Sequence, residues 1–141
     1  MAGSITTTVT KVAGSGGVVR TSIAWTSDAL GAVSGNTVTM GPGTIVVVEF
    51  VPGTGGTQPS DLYDLTFTDD DGVNMFDDGA GASIGADLLN TTATHKVPFI
   101  GGGTVTYVRQ WLHGGPYTPV IAAAGAAKTG TIIIYTAPGV V

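Results

Sequence analysis

Seven of the ten acidic residues of this chain fall between Asp61 and Asp78: Asp61, Asp64, Asp69, Asp70, Asp71, Asp77 and Asp78. Clustered carboxylates are what a hard cation such as calcium requires, because it takes several oxygen ligands at once. The spacing departs from an EF-hand loop. With Asp71-Gly72 taken as the end of the D-x-[DN]-x-[DN]-G element, Phe67 falls at the first ligand position. The run reads instead as a hairpin turn at Asp70-Asp71-Gly72 on an exposed edge, since Asp and Gly accept the positive φ of tight turns. A cation held where copies of this loop meet on a multimer axis stays open. Gly81-Ala82-Ser83-Ile84-Gly85 matches the G-x-S-x-G nucleophile elbow. An elbow needs an apolar strand before the serine and a helix after it, and here Asp77-Asp78-Gly79 precedes it. The two histidines, His95 and His113, have no partner at metal-ligand spacing and read as surface or interface residues. The glycine runs Gly53-Thr54-Gly55-Gly56, Gly79-Ala80-Gly81 and Gly101-Gly102-Gly103 fit neither a phosphate loop nor a dinucleotide fingerprint. The chain has no cysteine, which removes thiol catalysis, zinc thiolates and disulfides. The expectation is a non-enzymatic protein with no cofactor and no resident metal.

The elements that would position any such residues follow from composition. Of 141 residues, 23 are glycine, 22 threonine and one glutamate, and only 11% are charged. Glu, Lys, Arg and Gln, the strong helix formers, are scarce, which disfavours long helices. A hydrophobic share of 43% disfavours disorder. A net charge of −5 disfavours nucleic acid, whose phosphates would be repelled. The most apolar windows, Ile45–Val48 and Val120–Ala127, are far shorter than the ~18 residues of a membrane span. The N-terminal residues show no basic region and no apolar core, so no signal peptide is expected. A surface this poor in charge favours contact with other protein.

Short alternating segments bounded by Gly, Pro, Asn and Asp predict an all-β fold, a single-domain antiparallel β-sandwich or barrel over 1–141, jelly-roll-like. Predicted strands are Ser4–Val12, Val19–Thr26, Asn36–Met40, Thr44–Val51, Leu62–Thr68, Val73–Phe76, Thr91–Ile100, Thr104–Leu112, Val120–Ala123 and Thr131–Tyr135. Ile45-Val46-Val47-Val48 is apolar on consecutive positions, as a central strand would be. Pro98 places its strand at an edge. At most one helical turn is expected, at Ala86–Asn90. Residues 1–13 read as a first strand or as an arm that adds a strand to a neighbour. Trp25 and Trp111 read as core anchors. Arg20 and Arg109 sit mid-strand, either as solubilising groups or as interface anchors. The candidate interface set is Ile5, Val9, Arg20, Arg109, Trp111 and Val140, the last in a C-terminal tether, Pro138–Val141.

Three stretches together resemble small virion proteins of tailed bacteriophages: Ile23–Gly31, Tyr63–Asn74 and Ala124–Tyr135. The resemblance implies a capsid decoration or cement protein on the virion surface, made in the host cytoplasm. It implies a homo-oligomer, commonly a trimer, bound over junctions between subunits of the major capsid protein, with no catalytic residues. The alternative is a tail or fibre component that contacts a host receptor or glycan, with Tyr107, Trp111 and Tyr117 as the aromatic rings for sugar stacking.

Overall fold

Alternation of side chains fixes the faces of the strands. In β2 (Val19–Thr26), Thr21, Ile23 and Trp25 are buried while Arg20, Ser22, Ala24 and Thr26 point the other way. The computed structural model describes residues 3–75, 95–98, 111–112 and 115–138. The other strands are β1 (Ser4–Lys11), β3 (Gly43–Pro52), β4 (Asp64–Thr68), β5 (His95–Pro98), β6 (Trp111–Leu112), β7 (Thr118–Ala122) and β8 (Thr129–Ala137). Among the described residues the one helical element is a 3-10 turn at Gly55–Thr57. The fold is all-β and sandwich-like.

The larger sheet has the order β1-β2-β8-β3-β5, with β6 also on β3, and every pairing is antiparallel. The smaller sheet is β4 paired antiparallel to β7. Single bridges from Val33 to Ile121 and from Val38 to Tyr117 lay segment 33–38 along the free side of β7. One core lies between the sheets. The larger sheet contributes Ile23, Trp25, Ile45, Val48, Phe50, Ile132 and Ile134, and the smaller contributes Leu65, Phe67 and Ile121. Each such side chain stabilises the fold by about 2 kcal/mol relative to exposure. Phe67 stacks on Tyr117 with ring centroids 5.2 Å apart, and Trp25 leans on Tyr63 at 5.4 Å. Opposite Trp25 in register stands Gly130. Any side chain there would run into the indole ring, so glycine is required for the ring to lie on the strand.

β3 resolves the puzzle of Ile45-Val46-Val47-Val48. Its register against β8 slips between Ile45 and Val47. A bulge sets two residues against one and moves the alternation by one position. Ile45, Val48 and Phe50 therefore all reach the core, while Val46 and Val47 are half-buried. The strand is central, between β8 and β5, as its composition predicts. Among the described residues, Pro98 lies on an edge strand, β5.

Several predicted elements differ. Asn36–Met40 is not a strand but a segment with one bridge at Val38, broken by Gly35 at φ 72° and by the Asn36 amide donating to the carbonyl of Ser34. The return strand after Asp70-Asp71-Gly72 shrinks to one bridge between Thr68 and Asn74. There the Asn74 side-chain oxygen accepts the Phe67 N–H at 2.9 Å, taking a place that a backbone carbonyl would hold in a ladder. The helical turn falls at Gly55–Thr57, and Ala86–Asn90 lies outside the described residues. Of Thr104–Leu112, only Trp111–Leu112 is described, as β6. The last two strands are present as predicted and lie in different sheets, β7 in the smaller and β8 in the larger.

Candidate functional site

β2, β3 and β7 end, and β1, β4 and β8 begin, at the same end of the sandwich, as their registers require. The loops leaving that end, 27–32, 53–63 and 123–128, are tied to one another by bonds between residues far apart in sequence. The Ser27 hydroxyl donates to the Gly125 carbonyl at 2.6 Å and accepts the Lys128 N–H at 2.8 Å. The Ala127 N–H donates to the Asp28 carbonyl at 3.1 Å, the Ala124 N–H to that of Gly31 at 3.0 Å, and the Ser60 N–H to that of Ala124 at 2.8 Å. The Lys128 ammonium donates to the Gly56 carbonyl at 2.9 Å.

Within the first loop the Asp28 carboxylate accepts the N–H groups of Leu30 (2.8 Å) and Ala32 (2.9 Å). Those bonds, with Ala32 first, favour the charged form and hold the carboxyl below its ordinary value. Gly31, at φ 83°, packs against Gly125, at φ 88°. A Cβ on Gly31 would come within 2.7 Å of the Gly125 nitrogen, so the two loops approach this closely only because position 31 is glycine.

Among the described residues, the three non-glycine residues in the left-handed region, Leu62 (φ 59°), Ala123 (φ 58°) and Ala127 (φ 53°), all belong to these loops. Each such residue costs about 1–2 kcal/mol of local strain, which the surrounding bonds must offset. The same loops display Leu30, 90% exposed, and Leu62, 57% exposed. Beside Leu62, the Tyr63 ring is buried against Trp25, and burial pushes its hydroxyl up to about 12. The arrangement presents apolar side chains on a backbone that is already ordered. It suits the binding of an apolar surface at low ordering cost. Strained backbone clusters where a molecule uses it.

The residues singled out in the sequence are not gathered here. Ile5 is half-buried and packs against the core, whereas Val9, on the same face of β1, is 51% exposed. Arg20 is half-buried on the opposite face of β2, in register with Thr10 and Tyr135. Trp111 stands in β6 opposite Thr44, at the far side of the sheet from β1. Arg109, Val140, Tyr107, His113, Gly81–Gly85, Asp77 and Asp78 lie outside the described residues. His95 pairs in register with Phe50. Tyr117 is fully buried under Phe67, which withdraws it from sugar stacking.

The acidic run is divided by β4: Asp61 and Asp64 stand at the loop end, and Asp69, Asp70 and Asp71 at the opposite tip. Among the described residues no group of three His, Asp or Glu side chains is placed to hold a metal ion. Asp69 instead accepts the N–H groups of Asp71 (3.1 Å) and Val73 (2.8 Å), closing its own turn. Leu30 escaped the sequence reading because it is a single apolar residue beside an Asp-containing turn, and Leu62 because it reads as the first residue of the predicted strand Leu62–Thr68. The available signal was a leucine placed before glycine in Asp28-Ala29-Leu30-Gly31, where no strand alternation demands one. Among the described residues no helix is long and apolar enough to cross a membrane. No protein-family model, curated protein or solved structure matches the chain.

Proposed function

We propose that the chain is a non-enzymatic virion structural protein that binds the outside of an assembled phage capsid and bridges neighbouring major capsid subunits. The observation that carries this reading is the tied loop end, with exposed Leu30 held by its N–H bond to the Asp28 carboxylate and exposed Leu62 on left-handed backbone. A surface ordered before contact loses little conformational entropy on binding, and burying its exposed leucines adds to the affinity. Many copies bound only to the assembled shell stabilise it by mass action. The resemblance of Ile23–Gly31, Tyr63–Asn74 and Ala124–Tyr135 to phage virion proteins directs the choice of partner. The chain's low charge fits a surface that meets other protein.

The test is co-sedimentation with capsids assembled without this protein. Wild-type protein should pellet with capsids and raise the temperature at which they lose their DNA. A Leu30→Ser/Leu62→Ser double variant should stay in the supernatant with its fold intact. Wild-type protein left in the supernatant, or equal pelleting of the double variant, would refute the proposal.

A further inference from the structure

Among the described residues, the two edges of the larger sheet, β1 and β5, are built differently. β5 has four residues, and Lys96 and Pro98 are among them. Short length, lysine and proline are the usual devices that stop an edge from pairing with another chain. β1 has eight residues and pairs with β2 in unbroken register from Ser4–Thr26 to Lys11–Val19, without a bulge. It contains no proline and one charge, Lys11, at its end. Among the described residues no strand pairs with its outer side. In an antiparallel pair every second residue turns its N–H and C=O away from the partner strand. Half of β1 therefore offers these groups outward, as a template for another strand.

We infer that this strand is β1 of a second copy, paired antiparallel about a twofold axis through Thr7. A twofold axis perpendicular to the sheet keeps both core faces on one side, so residues of the same parity must meet. With the axis at Thr7, Ile5 meets Val9 of the second copy on the core face, and Val9 meets Ile5. On the other face Thr6 meets Thr8, and Ser4 meets Thr10. The strand is symmetric in chemistry about this point: Ile5-Thr6-Thr7-Thr8-Val9. The pairing covers Val9, which is 51% exposed although it lies on the core face. β-Branched pairs and hydroxyl pairs directly opposite one another are favourable in antiparallel sheets. Lys11 falls opposite Gly3, so no like charges meet. Moving the axis to Thr8 would set Ile5 against Lys11 and Thr7 against Val9, which loses the match. The contact is isologous and closes at two copies. It does not rest on the capsid reading, and a trimer would need a separate, threefold contact.

The chain lacks cysteine, so introduced thiols report the register without background. In a purified Thr7→Cys variant the two thiols face each other across the axis with Cβ atoms about 5 Å apart, within reach of a disulfide after small adjustment. A mild copper(II) oxidant should convert this variant to a covalent dimer, while Thr8→Cys, whose two thiols are offset, should remain largely monomeric on denaturing gels. Sedimentation equilibrium of the wild type should show a dimer. Val9→Lys should weaken it about tenfold without changing the circular dichroism spectrum. Equal cross-linking of the two cysteine variants, cross-linking of neither, or a wild type monomeric at its highest soluble concentration would overturn the inference.

Discussion

The two ends of the sandwich are built on different plans. At one end, loops 27–32, 53–63 and 123–128 are joined by Ser27 to Gly125, Ser27 to Lys128 and Lys128 to Gly56, contacts that span 98, 101 and 72 residues of sequence. At the other, a long-range bond from the Thr136 hydroxyl to the Gly41 carbonyl lies inside the sandwich, while the exposed hairpin tips close on themselves. Val12 bonds to Val18, and Asp69 to Asp71 and Val73. Both ends use left-handed backbone, but at the tips it is carried by glycine, at Gly14, Gly16, Gly17 and Gly72, where it costs little. At the loop end Leu62, Ala123 and Ala127 adopt it against their preference. A local turn can open by itself. Long-range bonds among three loops couple their opening, and they fix the backbone on which the exposed leucines stand.

The largest test of that difference is one substitution made at both ends. Gly31→Ala meets left-handed backbone and the Gly125 backbone together, and should lower stability by about 3 kcal/mol. Gly16→Ala has the same φ problem with open space around it, and should cost about 1 kcal/mol. Denaturant unfolding of the two variants gives the contrast, and equal losses would erase it.

Next in size is an alkaline step. The buried Tyr63 hydroxyl keeps its proton up to about 12 in the folded chain, whereas the unfolded chain releases it near the ordinary value of about 10. Stability is therefore complete below pH ~10 and falls as pH rises towards 12, by roughly 2.5 kcal/mol. Tyr63→Phe should remove this component of the pH dependence, read as unfolding midpoints at pH ~9 and ~12.

Ser27→Ala leaves the Lys128 N–H and the Gly125 carbonyl without their partner, and should cost about 1.5 kcal/mol. Asp69→Ala, at a self-contained tip, should cost under about 1 kcal/mol. Hydrogen exchange should show faster amides in all three loops for the first and only around residues 69–73 for the second.

The smallest effect concerns Asp28, half-buried in the first loop. Because its folded value is depressed, its bonds to Leu30 and Ala32 are intact above the ordinary carboxylate value and weaken as pH falls through the folded one. The amide protons of Leu30 and Ala32 should lose protection on acidification, and Asp28→Ala should show that loss already at neutral pH.

Most strands could be read from the sequence because period-two alternation is local: Thr21, Ile23 and Trp25 alternate with polar neighbours, and so do Leu65 and Phe67. The bulge at Ile45–Val47 could not be read, since an unbroken apolar run fits either a strand covered on both faces or a shifted phase. The segment 33–38 misled because Val33 and Val38 are buried by single bridges to β7, a tertiary contact with no local periodicity. The candidate site was hardest to see. Its defining bonds join Ser27 to residues about a hundred positions away, and its exposed leucines look in sequence like any apolar residue near a turn. Asp69–Asp71 drew attention because charge clusters are visible locally, yet there the carboxylate of Asp69 closes its own turn.

The most direct test of the proposed role is electron cryomicroscopy of virions that carry this protein. The proposal predicts regular density on the outer face of the head lattice, into which the sandwich fits with Leu30 and Leu62 against the major capsid subunits. Density confined to the tail, or a fit on the head with that loop end facing solvent, would contradict it.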